Sequence, residues 1–156
     1  MSRAIFFESY NQLDFCNAIG QEVNFVQDNQ LFSKKVSYVG CIFKKQNMPR
    51  QCWFRSWKEE FRVWLWICVK ILLPLPSIFS IELCSKSKKQ LFVPRGFAHG
   101  FLTLSGSALV YYKCENYYSQ EAEGGIRYDD LSLKIDWQFP QKEILVSHKD
   151  LTMEYL

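Results

Sequence analysis

The sequence predicts an all-β fold, a sandwich or barrel of short strands accompanied by short helices. The chain has 156 residues, the length of one domain, and its 48% hydrophobic and 22% charged residues are typical of a globular protein. Short runs of β-branched and aromatic residues recur along it, separated by polar or glycine-bearing turns. Several short strands at such spacing are typical of a sandwich or barrel. We therefore treat residues 1–156 as a single domain.

The first predicted element is a short helix over residues 11–20. Asn11 has the side chain of an N-cap, and Asp14 follows in the first turn. Phe15 begins an apolar side of the helix. Gly20 is a usual helix terminator because it adopts the left-handed conformation without strain.

Strands are predicted at apolar runs over residues 25–26, 78–83, 91–93, 101–104 and 108–113. The last two runs are separated by Ser105-Gly106-Ser107, which has the composition of a hairpin turn. Tyr111 and Tyr112 fall on opposite faces of their strand, since side chains alternate. One phenol should therefore point inward, where its hydroxyl needs a partner.

The middle of the chain differs from its flanks in charge and composition. Residues 36–78 hold seven Lys or Arg against two acidic residues, so the segment carries a net charge of +5, whereas the whole chain carries +3. Four of the five tryptophans also lie there. The bases are scattered rather than clustered on a recognition motif, so we expect no nucleic-acid partner.

The sequence also predicts the compartment. Six cysteines form no Cys-x-x-Cys pair and no cleavable apolar leader is visible, so we expect a reducing, cytoplasmic location. The most apolar stretch, residues 63–79, is interrupted by Lys70, Pro74 and Pro76. Its uncharged runs are shorter than the roughly 18–20 residues that cross a bilayer, so we expect no membrane partner.

Two separated blocks carry distinctive motifs. The N-terminal block reads Arg-Ala-Ile-Phe-Phe-Glu-Ser-Tyr-Asn over residues 3–11 and Phe-Val-Gln-Asp-Asn over 25–29. The C-terminal block reads Pro-Arg-Gly-Phe-Ala-His-Gly over 94–100, Tyr-Tyr-Lys-Cys-Glu-Asn-Tyr-Tyr-Ser over 111–119 and Glu-Ala-Glu-Gly-Gly-Ile-Arg over 121–127. This succession resembles the dTDP-4-dehydrorhamnose 3,5-epimerases. The resemblance implies a cupin-like β-jelly-roll, a homodimer, a dTDP-sugar substrate and no cofactor.

The resemblance also implies a reaction. Members of that family epimerise C3 and C5 of dTDP-4-dehydro-6-deoxy-D-glucose, on the route to dTDP-L-rhamnose, by removing a proton beside the C4 ketone and returning it on the opposite face. Such chemistry needs a base, an acid and stabilisation of the enolate. By resemblance, Tyr112 is the acid and Asp150 orients a histidine base. The implied substrate-binding residues are Arg3, Glu8, Gln27, Asp28, Asn29, His99, Glu123 and Lys149.

The histidine base itself has no counterpart in the sequence. Where the family carries Gly-Val-Leu-Arg-Gly-Leu-His-Phe-Gln, this chain has Val-Ser-Tyr-Val-Gly-Cys-Ile-Phe-Lys over residues 36–44. Loss of a general base typically costs about 10² to 10⁴ in rate. Metal-binding cupins use several histidines as ligands. This chain has only His99 and His148, which lack the close spacing of metal ligands, so we expect no metal site.

A shift of reading frame explains the unusual middle segment. Codons for residues 36–44 can be chosen so that reading one nucleotide earlier gives the family motif, and the same shift over residues 63–70 gives Val-Ala-Val-Asp-Leu-Arg-Lys. The Asp in that second motif has no codon freedom, because Trp66 must end in G and Ile67 must begin with AT. We therefore hypothesise that residues from about 36 to 78 are translated out of frame, between two compensating indels.

Three functions remain open at this point. The first is the 3,5-epimerase itself, and the second is a non-catalytic homologue from a damaged gene that binds a deoxysugar nucleotide. The third is a related 4-keto-sugar ketoisomerase on the same fold. Exchange of solvent deuterium into C3 and C5 separates the first two, and product identity separates the third.

Overall fold

The computed structural model describes residues 4, 6–44, 50–57, 62–69 and 77–155. Two α-helices lie within these ranges, α1 (Gln12–Ile19) and α2 (His148–Leu151). Leu131–Leu133 and Gln141–Glu143 form 3₁₀ turns. The strands are β1 (Gln27–Lys34), β2 (Tyr38–Lys44), β3 (Cys52–Ser56), β4 (Arg62–Val69), β5 (Ser77–Cys84), β6 (Gln90–Val93), β7 (Phe97–Thr103), β8 (Ser107–Cys114) and β9 (Glu123–Ile126).

The strands form two antiparallel sheets, which confirms the all-β prediction. One sheet has the order β1-β8-β3-β6 and the other the order β5-β4-β7-β2-β9. Buried side chains from both sheets form the principal core cluster, which includes Phe54, Leu83, Val93, Phe101 and Val110. The site described below lies in this same space between the sheets.

Helix α1 forms as the sequence predicts. The Asn11 side chain accepts hydrogen bonds from the backbone N–H groups of Leu13 at 3.0 Å and Asp14 at 3.2 Å. Gly20 ends the helix with a φ of 72°, in the left-handed region. Both signals are local, so the sequence alone places the helix correctly.

The predicted hairpin at residues 105–107 is wrong. β7 and β8, which it would join, belong to different sheets. The backbone N–H of Lys35 donates to the carbonyl of Gly106 at 3.0 Å, and Thr103 Oγ1 donates to Ser33 Oγ at 2.9 Å. The connection therefore crosses from one sheet to the other beside the β1–β2 turn, because composition predicts a chain reversal and not which strands will pair.

The N-terminal strand also differs from the prediction. The apolar pair at residues 25–26 lies outside it, and β1 begins with the polar residue Gln27. Burial then alternates along β1, with Asn29 and Leu31 partly buried and Asp28 exposed. A polar stretch forms this strand because one of its faces meets solvent.

Most of the unusual segment 36–78 that the structure describes is strand. β2 pairs with β7 and β9, β3 with β6 and β8, and β4 with β5 and β7. Pro74 and Pro76, which cannot donate ladder hydrogen bonds, lie outside the described residues. No helix within the described ranges is long and apolar enough to cross a membrane. The frameshift concerns the gene and stays a prediction.

Candidate active site

A cavity of about 130 Å³ lies between the two sheets. Cys52, Phe54, Tyr112 and Cys114 line it from β3 and β8. The facing sheet contributes lining residues of β2, β7 and β9, which include Val39, Gly40, Phe97, His99 and Glu123. Opposite walls of one cavity thus come from opposite sheets.

Tyr112 lies on the wall formed by β8. It is directly opposite Phe54 in the β3–β8 ladder, and the two rings stack with centroids 5.3 Å apart. Burial raises the pKa of Tyr112 above its ordinary value of 10.0. Its neighbour Tyr111 points to the other face and donates a hydrogen bond to Asp28 at 2.6 Å. The phenol that the resemblance implies is therefore the one at the cavity, and it is protonated at neutral pH.

His99 lies on the opposite wall, in β7. Its ring meets the Phe54 ring edge-on with centroids 4.9 Å apart, so Phe54 contacts both His99 and Tyr112. Burial, reinforced by the positive charge of Arg50, lowers the pKa of His99 to about 4. Among the described residues, none forms a hydrogen bond with its buried Nδ1. His99 therefore presents a neutral imidazole near neutral pH.

Arg50 brings a positive charge to the cavity and is the one Lys or Arg among its described lining residues. Its Nη2 donates to Gln27 Oε1 at 3.3 Å, and no described residue bonds to its buried Nε. Gln27 in turn donates from Nε2 to Asn29 Oδ1 at 2.9 Å. The same Gln27 oxygen accepts from the backbone N–H of Tyr118 at 3.0 Å. These contacts form a polar rim that couples β1 to the cavity.

Glu123 adds a carboxylate to the cavity lining from β9. Its Oε2 accepts a hydrogen bond from Lys149 Nζ at 2.6 Å and another from the Tyr118 hydroxyl at 3.0 Å. The Glu123 side chain is 8% exposed, and that of Lys149 is 53% exposed. Lys149 therefore neutralises Glu123 from the solvent side.

Asp150 is buried in α2, and it does not line the cavity. Ser147 Oγ donates to Asp150 Oδ2 at 2.6 Å, and the Ser147 oxygen accepts from the Asp150 backbone N–H at 3.2 Å. Burial raises the pKa of Asp150 above its ordinary value. Ser147 is thus hydrogen-bonded to one carboxylate oxygen of Asp150, the residue expected to orient a histidine.

Two of the predicted substrate-binding residues lie away from the cavity. Asp28 points outward and binds Lys113 Nζ at 2.9 Å as well as Tyr111. Glu8 is exposed and accepts a hydrogen bond from Asn11 at 3.3 Å. Arg3 lies outside the described residues. Within the described part of the chain, no three His, Cys, Asp or Glu side chains come together as a metal site.

Comparison with known proteins identifies the family. A family model described as dTDP-4-dehydrorhamnose 3,5-epimerase matches residues 2–156. The dTDP-4-dehydrorhamnose 3,5-epimerase of Salmonella typhimurium is 41% identical over 143 residues, which are 89% of this chain and 76% of that protein. The chain belongs to the dTDP-4-dehydrorhamnose 3,5-epimerase family.

Solved structures of epimerases agree with this assignment. The Bacillus anthracis dTDP-4-dehydrorhamnose 3,5-epimerase, solved with TDP and PPi bound, superposes with a TM-score of 0.90 at 29% identity, over 100% of this chain and 88% of that one. The Legionella pneumophila dTDP-6-deoxy-D-glucose-3,5-epimerase, solved with dTDP-4-keto-L-rhamnose, gives 0.87 at 31% identity, over 99% and 81%. The predicted family and its cupin-like jelly-roll are confirmed, and the match extends through the middle segment.

The position of the epimerase family's histidine base can now be located in the fold. Counting along the segment over residues 36–44, the family histidine corresponds to Ile42. The backbone of Ile42 lies in β2, opposite His99 of β7 on one side and Gly125 of β9 on the other. Directly opposite positions on neighbouring strands share a face of the sheet. Position 42 is therefore a register neighbour of the cavity-lining His99.

Among the residues of this epimerase-family cavity that the sequence did not single out are Arg50, Cys52 and Phe54. All three lie in the unusual segment, which carries no family motif. The only sequence signal of a strand there is the apolar run that begins at Cys52. This run alone does not indicate which strand it pairs with. Pairing of β3 with β8 is what brings Cys52 and Phe54 to the strand of Tyr112.

Proposed function

We propose that this chain binds a dTDP-linked 4-keto-6-deoxy sugar and exchanges its C3 and C5 protons as a 3,5-epimerase. The observation that carries the proposal is Tyr112, a protonated phenol on the wall of a cavity between the sheets of an epimerase-family fold. Epimerisation requires a proton donor on one face of the sugar ring. Tyr112 meets that requirement, since its raised pKa keeps the hydroxyl protonated.

The cavity size supports entry of the sugar ring alone. Its volume of about 130 Å³ is below the usual roughly 300–1,000 Å³ of small-molecule sites. The nucleotide would then lie outside, along the polar rim of Gln27, Asn29 and Tyr118. Arg50, whose guanidinium reaches this rim, is placed to stabilise negative charge on the ligand.

Proton removal is the weak step of the proposed reaction. A base should have a pKa near the working pH, whereas that of His99 is about 4. Glu123 is already neutralised by Lys149. Because the family's histidine position is Ile42, we expect turnover to be slow. The isoleucine at position 42 also favours a second candidate function, that of a homologue that binds the sugar nucleotide without catalysis.

We further propose a homodimer. β1 lies at the edge of its sheet, and its Phe32 side chain is 63% exposed. An edge strand has unpaired backbone groups that can pair with another chain, and the exposed Phe32 side chain adds apolar surface to this edge. Sedimentation velocity should give a dimer that Phe32→Lys weakens, and a monomer at all concentrations would contradict the proposal. A cytoplasmic location also fits, because Cys16, Cys52, Cys84 and Cys114 are not in disulfides.

An isotope experiment tests the function. The chain is incubated in D₂O with dTDP-4-dehydro-6-deoxy-D-glucose, and proton NMR follows the C3 and C5 signals. Slow deuterium uptake with formation of the C3,C5 epimer, both reduced in Tyr112→Phe, supports the epimerase. Binding of dTDP measured by calorimetry without any exchange supports the binding homologue. A product with its ketone moved from C4 to C3 would show a ketoisomerase instead.

A further inference from the structure

Two buried cysteines lie side by side in the cavity wall. Cys52 is 4% exposed and Cys114 is fully buried, and both line the cavity. Their sulfur atoms are 3.3 Å apart although the residues are 62 positions apart in sequence. Neither cysteine is in a disulfide. The fold therefore brings together two thiols that are distant in sequence.

Strand pairing explains why the sulfur atoms meet. Cys52 and Cys114 are directly opposite each other in the antiparallel β3–β8 pair. The N–H of Glu115 donates to the carbonyl of Gln51 at 3.1 Å, so the adjacent pair is hydrogen-bonded and the cysteines occupy a non-hydrogen-bonded position. Cα atoms at such positions are about 4.5 Å apart. Disulfides span Cα distances of about 4.4–6.8 Å, so the backbone already permits a bridge.

We propose that Cys52 and Cys114 form a modification site, a dithiol that peroxide converts to a disulfide in the cavity wall. The thiolate of one cysteine attacks a peroxide oxygen and breaks the O–O bond, which gives a sulfenic acid and one water after proton transfer. The second thiol displaces the sulfenic hydroxyl as a second water and forms the S–S bond. Two thiols and one hydrogen peroxide thus yield one disulfide and two waters.

The cavity suits a small oxidant. Its volume of about 130 Å³ admits hydrogen peroxide, and Cys52, the more exposed thiol, offers the sulfur for the first attack. Closing the bridge requires the sulfurs to approach by about 1.3 Å, to the usual S–S length. Side-chain rotation supplies a movement of this size.

The bridge would fix the wall that carries the acid. Side chains two apart on a strand share a face, so Cys52 lies beside Phe54 and Cys114 beside Tyr112. The bridge and the Phe54–Tyr112 stack are then consecutive cross-strand contacts on one face. Oxidation thereby ties β3 to β8 directly beside the proton donor.

Peptide mapping of the whole chain tests the proposal. The reduced protein is treated with a slight excess of hydrogen peroxide, alkylated, unfolded and digested with trypsin. The expected product is a cross-linked pair of peptides, residues 51–55 joined to residues 114–127. Both peptides recovered unlinked, or a bridge to Cys16 or Cys84, would overturn the proposal. This readout needs no variant, so it holds even if substitutions disturb folding.

Matched variants sharpen the test. Cys52→Ser and Cys114→Ser should each abolish the cross-link, whereas Cys84→Ser, outside the cavity lining, should leave it unchanged. The bridge closes a long loop, so oxidation should raise the Tm of the unmutated chain and of Cys84→Ser by about 10 °C. It should leave the Tm of Cys52→Ser and Cys114→Ser unchanged. An unchanged Tm after complete cross-linking would contradict the claim that the bridge fixes the two strands.

Discussion

Introducing a histidine at position 42 should restore a general base. Ile42 occupies the position of the family histidine, and its backbone lies opposite the cavity-lining His99. The substitution Ile42→His introduces an imidazole, a group whose unperturbed pKa of about 6.5 lies near the working pH, whereas burial lowers the pKa of His99 to about 4. We therefore expect proton exchange at C3 and C5 to accelerate.

The size of the gain follows from the contacts of Asp150. A positioned general base contributes about 10² to 10⁴ in rate. Asp150 must release its 2.6 Å hydrogen bond from Ser147 to orient the new histidine. A hydrogen bond to a carboxylate is worth about 1.5–3 kcal/mol, and at the lower end of this range its loss reduces the gain by about tenfold. We expect an acceleration of about 10 to 10³ for Ile42→His, and a larger one for Ile42→His combined with Ser147→Ala.

Deuterium uptake measured by proton NMR checks this prediction. Ile42→Gln is the matched control, because it introduces a polar side chain of similar reach that cannot act as a base. Tyr112→Phe in the Ile42→His background should reduce epimer formation. Equal exchange rates for Ile42→His and Ile42→Gln would refute the assignment of position 42. If Ser147→Ala raised the exchange rate more in the unmutated chain than in the Ile42→His background, the role given to Asp150 would be refuted.

Three further predictions concern the packing, the pH dependence and the gene. Phe54→Ala should lower the free energy of unfolding by about 3–5 kcal/mol in urea titrations, because Phe54 is 3% exposed and contacts both Tyr112 and His99; a loss below 1 kcal/mol would contradict this packing. Between about pH 6.5 and 4, His99 is protonated in the unfolded chain and neutral in the folded protein. The free energy of unfolding should therefore fall by up to about 3 kcal/mol as the pH drops through this window. His99→Asn should flatten that part of the stability curve. Sequencing the genomic DNA across codons 30–85 should reveal family-like codons in the shifted frame, bounded by two indels, and codons incompatible with that frame would reject the hypothesis.

Local signals were predictable from the sequence, and pairing between distant strands was not. Asn11 and Gly20 mark the ends of α1 by their own side-chain chemistry, so the helix is correctly placed. Alternation likewise separated Tyr111 from Tyr112. The turn at residues 105–107 was misread as a hairpin because its composition does not say that β7 and β8 enter different sheets.

The candidate site shows the same division. Tyr112, His99 and Glu123, taken from motifs of the C-terminal block, lie together at the cavity. Cys52 and Phe54 were not recognised, because β3 reaches the cavity only through its register with β8. The serine partner of Asp150 could not be inferred from the resemblance, which implies a histidine there.

A crystal structure with a bound dTDP-linked deoxysugar would show directly which groups flank C3 and C5 of the sugar. We expect a sugar ring between the sheets, with the Tyr112 hydroxyl facing one side of C3 and C5 and the wall that carries His99 facing the other, without a basic group in hydrogen-bond reach of either carbon. A carboxylate or imidazole within about 3 Å of either carbon, on the side opposite Tyr112, would contradict this expectation.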